Sequence, residues 1–246
     1  TGRARDYFRR YSTLVPGGLT PGVLHGKTVL DFGCGVANPL GFSVILFLNG
    51  AESVVALDPG EIDREMAVAS MKTLLVEVME NPERFDLGGC GVEYIRLRSR
   101  RLSWERLLRL EGDECIRFVR GGVCDLDCAF DLILSTSVLE HVKDLAGDLE
   151  VLFRLCSDGA LMVHRVDFTD HRHFKFDYHK FGFMLDGEHK GLNGLRYSDV
   201  ISRFLRAGFE VVTEDVRREE LDDRFLAAIV EKFRSYSNED LAISYA

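Results

Sequence analysis

A chain of 246 residues with 46% hydrophobic content is long enough to bury a full core as one domain with room for inserts. Its net charge of −9 argues against a broad nucleic-acid surface, which needs a basic footprint, and suits a small neutral or cationic substrate. No apolar run reaches the roughly 18 residues of a membrane span, and no signal peptide is visible.

Residues 4–14 predict an amphipathic helix with Tyr7, Phe8 and Tyr11 at helical spacing, followed by a Pro- and Gly-rich linker over 15–26. The first strand is expected at 27–32, where Thr28, Val29 and Leu30 make the apolar, β-branched run of a buried parallel strand. Asp31 closes that run. Gly33 and Gly35 then permit positive φ and leave no side chain between backbone and ligand. Asn38 is the expected cap of a helix over 39–49, with Pro39 at its first position. A strand, a glycine turn and a helix N-terminus form the usual opening of a nucleotide-binding α/β domain. A dinucleotide site wants a third glycine where Asn38 stands, and Asp31 would repel a pyrophosphate, whereas it suits a ligand with an ammonium group.

A second strand over 53–58 ends in Asp58, placed to accept two ribose hydroxyls or to cap a helix over 62–80; Leu57, Pro59 and Ile62 are candidates to flank an adenine. The stretch 81–114 is expected to hold a short helix near 103–111 capped by Ser103. Six arginines between 96 and 109 read as a solvated face with acidic neighbours in preference to an RNA-binding patch. Further strands are predicted at 115–119, 130–135 and 160–164, with a helix over 144–156 between the last two. Beyond them lies 165–196, rich in His, Phe and Asp, where Phe174, Phe176, Tyr178, Phe181 and Phe183 suit either a lid or a packed insert. A helix over 198–207, capped by Ser198 and ended by Gly208, and strands at 209–213 and 226–230 complete the expected elements. The cysteines (Cys34, Cys90, Cys115, Cys124, Cys128 and Cys156) have neither zinc spacing nor the density of a secreted scaffold, which predicts reduced core thiols and a cytoplasmic protein.

Three features occur in a telling order: the D-x-G-x-G of Asp31, Gly33 and Gly35, the acidic strand end at Asp58, and the run FDLILS followed by LEHV over 130–142. Together they resemble the class I S-adenosylmethionine (SAM) methyltransferases, over about residues 27–165. The resemblance implies an α/β, Rossmann-like sheet of about seven mostly parallel strands in a single domain, 1–246, with a SAM-binding core at 27–165, a cap insert at about 165–196 after strand five, and a C-terminal helix and strands at 198–232. It implies SAM as cofactor, with Asp31 near the methionine end, Gly33, Gly35 and Asn38 along the turn, Asp58 and Pro59 at the adenosine, and Ser135 at the end of strand four. In that family an acidic residue after strand three often contacts the adenine; Gly122 stands there in this chain, and Asp125 is the substitute. A looser likeness in 164–171 and 195–209, to methyltransferases of sugar, polysaccharide and antibiotic pathways, implies a small-molecule acceptor and not DNA. An RNA or protein methyltransferase, or a non-catalytic partner with the same fold, is the alternative.

Methyl transfer from SAM needs alignment, and a hydroxyl or ammonium nucleophile must also lose its proton. Ligands of open α/β sheets lie at the carboxyl ends of the strands, which makes His141, His164 and the run 167–173 the candidate bases. His171, supported by Asp167 or Asp170, is the first choice, with His141 in reserve and His173 behind it. The D-x-x-D-H-x-H cluster over 167–173 contains residues able to ligate a metal, and some small-molecule methyltransferases use a divalent ion, but its spacing matches no metal motif and no metal is expected.

Overall fold

The computed structural model describes residues 2–246. It divides into two compact units: the described residues up to Ser135 together with Arg154–Val163, and Thr136–Phe153 together with His164–Ala246.

The first unit is built on β1 (Thr28–Phe32), β2 (Ser53–Asp58), β3 (Ile116–Arg120), β4 (Phe130–Thr136) and β5 (Cys156–Arg165), arranged as β3-β2-β1-β4-β5. β1 pairs in parallel with β2 and β4, and β2 with β3. Helix α1 (Gly2–Leu14) buries Phe8 and Tyr11, and the Tyr11 ring stacks on Phe42 at 5.6 Å. α2 (Pro21–Leu24) is a single turn, and α3 (Gly41–Leu48) is wholly buried and apolar except for Ser43, as suits a helix covered on every side. α4 (Arg64–Glu80), α5 (Val92–Arg101) and α6 (Trp104–Leu108) complete this unit's helices. Four of the six arginines between 96 and 109 have side-chain partners within the chain. Arg98 donates to the carbonyls of Phe47 and Ala51 and lies 3.8 Å over the Phe47 ring, while Arg96, Arg101 and Arg109 pair with Glu93, Glu52 and Glu105.

α7 (Leu145–Leu155) leads into β5. The second unit also holds α8 (Phe183–Asp186), α9 (Tyr197–Ala207), β6 (Arg217–Arg218), α10 (Asp223–Ala228), α11 (Asn238–Leu241) and β7 (Ile243–Tyr245), with β6 antiparallel to β7. Its core joins Phe181, Phe183 and Met184 to Ile229, Phe233 and Leu241. Arg196 is fully buried beside that core and donates to the carbonyls of Phe168, Asp240, Leu241 and Ile243 at 2.7–3.0 Å. A guanidinium is suited to this, since its fork of donors gathers several acceptors at once.

The main sheet has five strands, not about seven. Residues 209–213 form no strand: Phe209 packs on Phe153 and Phe204, but Val211 and Val212 are 43% and 77% exposed, so the run has no face to bury. Residues 226–228 belong to α10, where the Asp222 carboxylate accepts the Phe225 N–H and starts a helix instead of a strand. Asn38 does not cap the following helix, which begins at Gly41 with Leu40 before it. Ser198 does not cap α9; its amide and hydroxyl bind the Asp240 carboxylate. The aromatic run of the insert is split, with Phe181 and Phe183 in the core and Phe174 and Phe176 exposed.

Arg196→Met leaves four carbonyls without their donor, at an expected cost of about 3–5 kcal/mol to the second unit. Hydrogen exchange reads this locally, as lost protection of the Phe168 and Ala246 amides, which bond to Ser244 and Val166. Unchanged protection there would remove Arg196 as the anchor.

Candidate functional site

The carboxyl ends of β1, β2 and β4 are level, because Phe32 is in register with Leu57 and with Ser135. Gly33 and Gly35 follow at φ 76° and 82°, a region costly for residues with a Cβ. The amides of Gly33 and Cys34 donate to the Leu57 carbonyl at 2.8 and 3.1 Å. Asp58 holds the two loops together: one carboxylate oxygen accepts the Gly35 N–H and the other the Gly60 N–H, both at 2.8 Å. The helix after β2 is capped by Asp63, so Asp58 is not its cap. A carboxylate has about four acceptor sites, and two remain here for a diol.

Asp31 is 6% exposed and accepts one hydrogen bond, from the Ser43 hydroxyl at 3.0 Å. Burial pushes its pKa up to about 7, against the pull of the Ser43 bond and with a contribution from the Asp58 charge. Nearby, Asn38 Oδ1 is buried without a partner, and a Cβ on Gly35 would meet open space. A buried carboxylate, an orphaned acceptor and open glycine backbone fit a ligand with a cationic end. Ser135 is buried and Pro59 is exposed beside Asp58. Asp125 is exposed, and its carboxylate accepts the Gly122 N–H at 2.9 Å, closing the turn after β3.

The second unit assembles a different chemistry. Ser137 adopts φ 54°, unusual for a non-glycine residue, and its N–H donates to the Arg165 carbonyl at 2.8 Å. The single turn Leu139–His141 follows and brings Glu140 and His141 to residues 167–171. His141 and His171 face each other with ring centroids 5.0 Å apart, and His171 Nε2 lies 3.6 Å from Asp167. Asp167 raises the His171 pKa, helped by the charge of Glu140. Burial opposes ionisation of Asp167, but His171 and the amide and hydroxyl of Thr169 together hold its pKa below the usual range. Asp170, by contrast, is committed to Arg172 through a 2.6 Å ion pair. His173 turns Nδ1 to the Asp170 carbonyl, and burial on β5 drops His164 to about 3, which keeps it neutral. Of the two proposed supports for His171, the structure brings Asp167 into contact.

Glu140 went unassigned in the sequence. It is 4% exposed, with one oxygen accepting the Asp167 N–H at 3.3 Å and the other buried without a partner. Burial, reinforced by Asp167, pushes its pKa up to about 7. Its adjacency to His141 at the end of a strand was the available signal.

A family profile described as a methyltransferase domain matches residues 3–214. The chain belongs to that methyltransferase family. Among curated proteins none matches it in sequence. Solved structures share the fold: a SAM-dependent methyltransferase from Mesorhizobium loti at 16% identity, covering 96% of this chain and 93% of that one with a TM-score of 0.50; and the magnesium protoporphyrin IX methyltransferase of Synechocystis with bound S-adenosylhomocysteine, also at 16% identity and TM-score 0.50, covering 89% and 78%. The chain spans 58% of the length of the cyclase SpnF, at 15% identity, 87% of this chain and a TM-score of 0.48.

In this methyltransferase Asp31 costs stability. Its folded pKa of about 7 lies above the ordinary 3.8, so its share of stability is intact below about pH 3.8 and lost progressively as pH rises to about 7. Asp31→Asn is therefore expected to raise the melting temperature of the unliganded protein, by a margin that grows between pH 4 and 7 and then levels off; at roughly 1.4 kcal/mol per pH unit the plateau is a few kcal/mol. A margin independent of pH would show that the folded carboxyl titrates normally.

Proposed function

We propose that this chain transfers a methyl group from SAM to an oxygen or nitrogen nucleophile of a small molecule, such as a sugar, an aminosugar or a secondary-metabolite intermediate. The observation that carries the reading is the buried Asp31 carboxylate beside the open glycine turn, a place for the methionine ammonium of SAM. When bound, SAM supplies an electrophilic methyl. Asp58 takes the ribose hydroxyls, with Gly33, Gly35, Asn38, Pro59, Asp125 and Ser135 around the cofactor. The acidic charge and the pairing of Arg96, Arg101 and Arg109 with glutamates favour a small acceptor over RNA. All six cysteines are free thiols, which suits the cytoplasm.

Calorimetry is expected to show S-adenosylhomocysteine binding and no NAD binding. Asp58→Ala removes charge-assisted bonds worth about 1.5–3 kcal/mol, so affinity falls roughly 10- to 150-fold. Tight NAD binding would instead indicate an oxidoreductase. A labelled-methyl screen over aminosugars, sugars and phenols with RNA as control tests the acceptor, and label found only in RNA defeats the small-molecule reading.

The proton of the nucleophile goes to the His141, His171 and Asp167 group, with His171 as the base and Asp167 holding it. General bases contribute about 10²- to 10⁴-fold. His171→Ala is expected to lower turnover by that order with S-adenosylhomocysteine affinity nearly intact. Normal turnover in this variant together with a dead His141→Ala would move the role to His141.

A further inference from the structure

We propose that Glu140, His141 and His171 together bind a divalent transition-metal ion of the zinc, manganese, iron or cobalt kind. The three residues each present a ligand atom within 4.8 Å of the other two. An ion with bonds of about 2.0–2.2 Å holds its ligands roughly 3.4 Å apart in a tetrahedron, so side-chain adjustments of little more than an ångström close the site. Two imidazoles and one carboxylate suit this class of ion, whereas magnesium and calcium prefer all-oxygen sites.

A second observation points to a missing ligand. Glu140 is 4% exposed, yet its Oε2 is buried with no hydrogen-bond partner. Polar atoms in that state are costly unless something completes them. The surroundings are also those of a metal site. His141 Nδ1 faces the Gly191 carbonyl at 2.9 Å; donating its N–H there leaves Nε2 with the free lone pair. Asp167 stands 3.6 Å from His171 Nε2, which leaves Nδ1 of that ring for the ion; it donates its own N–H to Glu140 Oε1 and is itself fixed by Thr169 at 2.6 and 2.9 Å. A carboxylate behind a ligand histidine orients the ring and raises its basicity.

Three protein ligands leave a position for water or a substrate oxygen, and His141 lies on the exposed side of the group. Resting on the methyltransferase reading, this narrows the acceptor to an alcohol or phenol, whose hydroxyl becomes more acidic on the ion. His171 then serves as a ligand in place of the base role argued above, and the proton of the ion-bound hydroxyl passes to solvent water. Loss of turnover in His171→Ala is common to both roles; metal binding separates them.

The test titrates the untagged, metal-stripped chain with Zn²⁺ against a chromophoric chelator, and with Co²⁺ followed by its ligand-field absorption. One equivalent is expected to bind. Glu140→Gln, His141→Ala and His171→Ala should each weaken it by at least about 10- to 100-fold, while His173→Ala and Cys124→Ser leave it unchanged and Mg²⁺ does not compete. Circular dichroism and S-adenosylhomocysteine titration of every variant report whether it is folded. Absence of stoichiometric binding overturns the proposal, as does binding indifferent to both Glu140→Gln and His141→Ala. Zinc binding without S-adenosylhomocysteine binding would leave the metal site standing and remove the methyltransferase reading; the reverse result would do the opposite.

Discussion

The parallel register of β1 between β2 and β4 sets the chemistry of the first unit. Asp31 is level with Ala56 and Leu134, and Phe32 with Leu57 and Ser135, so the chain leaves the sheet at one edge in three places. Only with this register do the Gly33 and Cys34 amides meet the Leu57 carbonyl, and the Gly35 amide the Asp58 carboxylate. A slip of one residue would turn Asp31 away from Ser43 and put Leu30 or Phe32 in its place, reversing which face is polar. The apolar residues on β1 and the wholly buried α3 guard against that slip, since any other register would expose them.

Two carboxylates a short distance apart in the chain serve opposite ends of one electrostatic range. Asp58 sits where two backbone amides converge, and these satisfy its charge whether or not a ligand is present. Asp31 has one hydroxyl for company and is buried, so its charge lacks a counterpart in the protein. The first is a permanent brace for the glycine turn. The second is a charge that awaits a cation, and a ligand ammonium would recover the desolvation cost that folding leaves unmet.

Much of the first unit was legible in the sequence because its signals are local. The strand at 53–58 ends where the apolar run ends, and the glycine pair marks the turn after β1. What escaped depends on tertiary partners. Val211 and Val212 have the composition of a strand, yet a strand needs a covered face, and both residues are exposed. Asp222 was a cap signal hidden by the apolar run after it. Asn38 and Pro39 look like a helix start, but the chain completes the ligand-side loop first and enters the helix at Gly41. His141 and the 167–171 segment were visible as chemistry; that Glu140 and Asp167 stand together was not, because 27 residues separate them.

The second unit's cluster contrasts with the well-bonded buried side chains Arg196, Arg98 and Asn49. Arg196 meets four carbonyls, Arg98 two, and Asn49 the carbonyls of Ile45 and Phe85 and the amides of Leu87 and Gly88. Glu140 is buried and half-answered, on a turn that follows a serine held at positive φ. Stability alone would replace such a glutamate with an apolar residue or give its second oxygen a donor. The unanswered oxygen beside two histidines is therefore most economically explained by a ligand that folding does not provide.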